Sequence, residues 1–117
     1  MKLEQQVCSL ESAKRLKELG VKQESMFGWT RIGDKYELRY FEDIKGYRDY
    51  SAFTVAEFGV MLPPHYFTTK SQDIENHWHC NSIENFMDDD FKKGIIENTE
   101  AEARAKMLIY LLENKLI

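Results

Sequence analysis

Most of the signals that announce an activity are scarce in this chain. Its 117 residues hold only two cysteines, Cys8 and Cys80, far apart, which is too few for a disulfide framework and reads as two free thiols. The only prolines are Pro63 and Pro64, and no Gly/Ser/Pro linker, repeat or low-complexity tract divides the sequence, so residues 1–117 are expected to form one domain. Positive charge is not in excess. Sixteen Lys and Arg stand against twenty Asp and Glu, a net −4, which gives no overall attraction to nucleic acid or anionic lipid. The longest apolar run, Met107 to Leu112, falls far short of the roughly 20 residues that span a bilayer, so no membrane partner is expected. No charged and apolar leader follows Met1, which points to a reducing, cytoplasmic setting. Neither a G-x-S-x-G elbow nor a P-loop nor a Rossmann glycine pattern is present.

The remaining composition is that of a folded domain, 43% hydrophobic and 13% aromatic. Three helices can be placed from their caps. Ser9 is an N-cap ahead of Leu10, Ala13, Leu16 and Leu19, and Gly20 supplies a left-handed stop. Thr54-Val55-Ala56-Glu57 is a capping box, with Val55, Phe58 and Leu62 on one face and Pro63-Pro64 as terminator. Thr99-Glu100-Ala101-Glu102 is a second box, opening a helix to about Asn114.

Between these helices the apolar period is two. Phe27 and Trp29 alternate with small residues, Tyr36, Leu38 and Tyr40 alternate with charged ones, and Gly33-Asp34 between them suits a hairpin turn. A second strand pair is expected over Tyr66–Lys70 and Ile74–Cys80. Loops are expected over Asp43–Ser51 and Asn81–Asn98, with a short edge strand or helical turn at Ile83–Met87. The order α-β-β-α-β-β-α predicts an α+β fold, a small antiparallel sheet with helices packed on one side.

Met107, Leu108, Ile109, Leu111 and Leu112 make the last helix apolar around its whole circumference, and such a helix must be covered all round. Two covers are open to it. Either it is the central helix of its own domain, or these five residues form an association surface that makes the chain a homodimer.

The segments Ser9–Trp29 (SLESAKRLKELGVKQESMFGW), Tyr50–Pro63 (YSAFTVAEFGVMLP) and Ala101–Ile117 (AEARAKMLIYLLENKLI) resemble a group of small, uncharacterised proteins of phages, prophages and related mobile elements. The resemblance covers a little under half of the chain and consists of helix and core patterns. It implies a phage-derived accessory protein in a bacterial cytoplasm and assigns no site residue.

Each candidate for chemistry has a plainer reading beside it. AKRLKELGVKQESMFGW imitates a helix-turn-helix, but Phe27, Gly28 and Trp29 carry strand spacing, and Lys22 and Arg31 are the only basic residues in the would-be recognition segment. Phe27, Trp29, Tyr36 and Tyr40 would either stack nucleic-acid bases or form a core face under the helices. His77 and His79 point the same way on a strand and Cys80 the other, which offers two ligands where structural zinc takes four and separates the thiol from a histidine base. No catalytic residue, cofactor or metal is therefore expected. Glu84, Asp88, Asp89 and Asp90 are a candidate acidic docking patch for a basic partner, Asp88–Asp90 lacking the ligand pattern of a calcium loop. The sequence thus points to a non-enzymatic accessory protein acting through protein contacts with an unknown protein partner. A small nucleic-acid-binding regulator built on the N-terminal helix block is the alternative, although nucleic acid fits the charge balance poorly.

Overall fold

The computed structural model describes residues 2–40, 49–70, 77–83 and 94–117. After a single 3-10 turn at Leu3–Gln5, helix α1 covers Leu10–Glu18. Strands β1 (Phe27–Ile32), β2 (Lys35–Tyr40) and β3 (Tyr50–Ala52) follow, then α2 (Val55–Met61). Strands β4 (Tyr66–Lys70), β5 (Trp78–Ser82) and β6 (Ile95–Glu97) precede the last helix, α3 (Glu100–Glu113). The class is α+β in the expected order. The strands form two antiparallel sheets of three, ordered β2-β1-β3 and β4-β5-β6, where one small sheet was expected.

The caps act where the sequence places them. Ser9 Oγ accepts the Ser12 N–H and Gly20 turns left-handed at φ +88°, which closes α1 at both ends. At α2 the box is complete. Thr54 Oγ1 accepts the Glu57 N–H and the Glu57 carboxylate accepts the Thr54 N–H at 2.8 Å. The other oxygen of Glu57 accepts the Met26 N–H, tying the entry of β1 to this helix.

The second box is only half used. Thr99 Oγ1 accepts the Glu102 N–H, but the Glu102 carboxylate accepts the Ser9 N–H at 3.2 Å instead. Residue N3 of α1 is Ser12, too short to reach back to its own cap, so α3 supplies the missing acceptor across 93 residues of sequence. This bond holds the starts of the two long helices together.

Gly33, at φ +64°, holds the first central position of the two-residue turn joining β1 to β2, where a positive φ matches the twist of the strands. Tyr50 and Ser51, within an expected loop, belong to β3, and Ile95–Glu97, within another, form β6. Both strands pair antiparallel with a strand well upstream, without a tight turn between them, so no local residue pattern marks them. Strand β5 begins at Trp78 and carries Asn81 and Ser82 beyond the expected end at Cys80. Residues 43–48, the residues Ile74–Asn76 and the segment from Glu84 to Met87 lie outside the described residues.

Helix α3 is the hub. It packs on α1, on α2 and on all three strands of the second sheet, while α1 also lies against β3. Ala101, Ala103, Ala105, Met107, Leu108, Ile109 and Leu111 of α3 are buried together with Leu16, Phe53, Phe58 and Cys80. Small alanines on its first two turns let neighbouring backbones approach. The bulky residues follow where α1 and the second sheet converge. Of the two covers considered for this helix, the chain's own fold is therefore the one realised: Met107, Leu108 and Leu111 are each 2% exposed and Ile109 8%. Leu112 is half-buried against the same core, so the five residues form no association surface on the folded chain.

Candidate functional site

Both thiols of the chain are inside it. Cys8 and Cys80 are fully buried free thiols. Burial pushes the Cys8 thiol up to about 12, against a smaller opposing pull from its hydrogen bond with Phe53. Burial likewise pushes Cys80 up to about 11, with the Arg104 guanidinium pulling the other way. At neutral pH neither is a thiolate, the form that attacks or binds metal. Trp78 packs on the core and Cys80 points into it, while His79 falls on the opposite side of β5, as the strand period requires. Among the described residues no three histidine, cysteine or acidic side chains come together as a metal ligand set.

Two clefts have side chains already engaged. One, of about 290 Å³, lies where α2 and α3 begin, lined by Gln5, Thr54, Trp78, Thr99 and Glu100 among others. Both threonine hydroxyls there cap helices, and Glu100 is bonded to Thr68 and Arg104. The other, a groove of about 510 Å³ between α1 and α3, is edged by Lys14, Arg15, Lys106, Glu11, Glu18 and Glu113. Arg15 crosses it to Glu113 at 3.0 Å and also holds Glu18. Charges of both signs cancel along its rim.

The aromatic row resolves as a half-buried face of the first sheet, with Tyr40 exposed at its end. Phe27 meets Tyr40 edge-on at 5.4 Å, and Tyr36 meets Tyr50 at 5.9 Å. Trp29 packs on the core and its indole N–H donates to the Cys8 carbonyl. Lys14 Nζ sits 5.0 Å from the Tyr36 ring and Lys17 Nζ 5.2 Å from that of Tyr50, so the ring faces on this side already hold cations of α1. The helix-turn-helix pattern fails for a geometric reason: residues 27–32 are β1, and no second helix stands between α1 and β1. Of its two basic residues, exposed Lys22 pairs with Glu24, and Arg31 Nε donates to the Gly33 carbonyl. The acidic candidates Glu84, Asp88, Asp89 and Asp90 lie outside the described residues.

What remains at the surface is the outer strand of the first sheet. Strand β2 packs chiefly on β1 and, among the described residues, is paired on that side alone. Its pairing fixes which groups face outward. With a two-residue turn, Ile32 and Lys35 form a hydrogen-bonded pair, as do Thr30 with Glu37 and Gly28 with Arg39. The Arg31 N–H agrees with this phase, since it turns away from β2 to donate to the Asp49 carboxylate at 2.9 Å. Tyr36, Leu38 and Tyr40 therefore direct their backbone N–H and C=O groups to the outer edge. Lys35, Glu37 and Arg39 are exposed on the face opposite the tyrosines, where Glu37 and Arg39 pair along the strand. Nearby, Ile32 is 45% exposed and Tyr40 37%.

This edge went unnoticed in the sequence, although its signal is present: the period-two run KYELRY carries charges of both signs on one face. Neither protein-family models, nor curated proteins, nor solved structures give a match to this chain.

Proposed function

We propose that the chain is a non-enzymatic accessory protein of a phage, prophage or related mobile element, working in the cytoplasm through protein–protein contacts. The outer edge of β2 is its contact surface. The observation that carries this reading is the row of outward-facing backbone groups at Tyr36, Leu38 and Tyr40, on a strand that little else in the described chain covers. An open strand edge recognises another backbone by adding a strand, with alternate side chains supplying selectivity. Natural proteins blunt edges that have no such use with prolines, bulges, covering loops or charged side chains, and the charges of β2 are confined to one face and of both signs. β2 has no proline and its six residues pair with β1 without a bulge. The three-segment resemblance supports the phage setting. The buried, protonated thiols support a role without covalent chemistry.

The test is affinity capture of the tagged protein from lysate of its native host, with and without nuclease, beside a Leu38→Pro variant. Proline at this position removes an outward N–H without breaking a bond to β1, so the hairpin is retained. A protein held by the wild type, resistant to nuclease and lost with Leu38→Pro supports the reading. Recovery of nucleic acid, or partners that vanish with nuclease, overturns it in favour of a nucleic-acid-binding regulator.

A further inference from the structure

We infer that the outer edge of β2 pairs with β2 of a second copy of this chain, antiparallel and centred on Leu38, joining the two β2-β1-β3 sheets into one of six strands. The inference rests on the reading of that edge as the contact surface and names its occupant.

The hydrogen-bond phase and the charges select the same register. A two-fold axis perpendicular to the sheet keeps each face on its own side, so a residue lies opposite one of matching parity. Centred on Leu38, the pairing sets Leu38 against Leu38 of the second copy and Tyr36 against Tyr40 of the second copy. These are the three residues whose backbone groups point outward, so each pair closes with hydrogen bonds. On the other face the same register sets Glu37 against Arg39 of the second copy, and symmetry repeats the ion pair. On the helix-bearing face it lines up tyrosine with tyrosine and leucine with leucine, pairs that stabilise antiparallel strands.

Sliding by one step of the repeat loses this. Centred on Glu37, the edge sets Glu37 against Glu37 and Lys35 against Arg39, and every charged contact becomes a repulsion. The strand is self-complementary in the register centred on Leu38, and the neighbouring one centred on Glu37 is held off by its own charges; a shift on to Tyr36 again sets Lys35 against Glu37 but takes Tyr40 out of the pairing and so overlaps less of the strand. Within one chain Glu37 and Arg39 hold each other, with both side chains nearly half exposed. They are therefore placed to exchange partners across the seam without burying a charge.

Sedimentation velocity over a concentration series tests this with charge variants that leave the core untouched. The wild type is expected to pass from monomer to dimer. Glu37→Arg and Arg39→Glu, each alone, place like charges opposite at two sites and are expected to weaken the dimer roughly tenfold. The double variant carrying both changes restores it. An equimolar mixture of the two single variants forms the heterodimer, in which the two arginines on the strand of one chain meet the two glutamates on that of the other. A wild type that stays monomeric at every concentration overturns the inference, as does a dimer indifferent to both reversals. A monomer that still captures a foreign protein through Leu38 overturns the self-pairing alone, whereas capture that ignores Leu38→Pro removes the contact surface itself.

Discussion

Leu108→Asp is expected to leave no folded protein. Leu108 is 2% exposed in the middle of α3, among Leu16, Phe58, Met107 and Leu111 of the same core. Removing its apolar bulk costs about 2–5 kcal/mol, by analogy with large-to-small substitutions at buried sites. Placing a carboxylate in that apolar space adds several more through its lost hydration. A domain of this size has only about 5–15 kcal/mol of stability to lose. Loss of near-ultraviolet circular dichroism and of a cooperative thermal transition is the expected readout. Leu112→Asp, at a half-buried position of the same helix, is expected to stay folded and to lose about 1–2 kcal/mol. If α3 were instead a seam between chains, Leu108→Asp would yield a folded, soluble monomer.

The second large effect is alkaline. Both thiols are held above their ordinary value of 9.0, Cys8 at about 12 and Cys80 at about 11, so the folded state keeps their protons more tightly than the unfolded one. Their contribution is fully present below about pH 9. It is lost as pH rises from there through the folded-state values, because the unfolded thiols ionise first. By pH 10 the two together are expected to cost about 3 kcal/mol relative to neutral pH. Urea unfolding at pH 7.5 and pH 10 measures the difference. Cys8→Ala and Cys80→Ala, although less stable at neutral pH, are each expected to flatten the dependence, which assigns it to the thiols. The same burial makes both thiols slow to react with a thiol reagent until the chain unfolds.

How much of this was legible in the sequence depends on how local the cause is. Ser9, Gly20, Thr54 and Thr99 act through backbone groups within four residues, and the helix ends fall where they predict. The Gly33-Asp34 turn likewise sets the β1–β2 register by itself. Strands β3 and β6 are different. Each is three residues long and gains its structure by pairing with a strand distant in sequence, which no local period records. The same holds for Glu102, whose position in a capping box predicts a bond to Thr99 but whose carboxylate answers the cap of another helix.

The all-round apolar character of α3 was visible, but it left the choice of cover open. Three-dimensional packing made that choice by laying α1, α2 and the second sheet around it. The outer edge of β2 was hidden for the opposite reason. The residues from Lys35 to Tyr40 read as an ordinary amphipathic strand, and only the sheet order reveals that their outer edge faces away from β1.

Amide hydrogen exchange along β2, measured in dilute and in concentrated protein, tests the central claim most directly. Glu37 and Arg39, bonded to β1, are expected to exchange slowly at both concentrations, while Tyr36 and Leu38 exchange fast in dilute solution and slow as the chains pair. Slow exchange at Leu38 in dilute solution would mean that the chain closes this edge itself, and fast exchange at every concentration would mean that no second strand ever adds; either result contradicts the account.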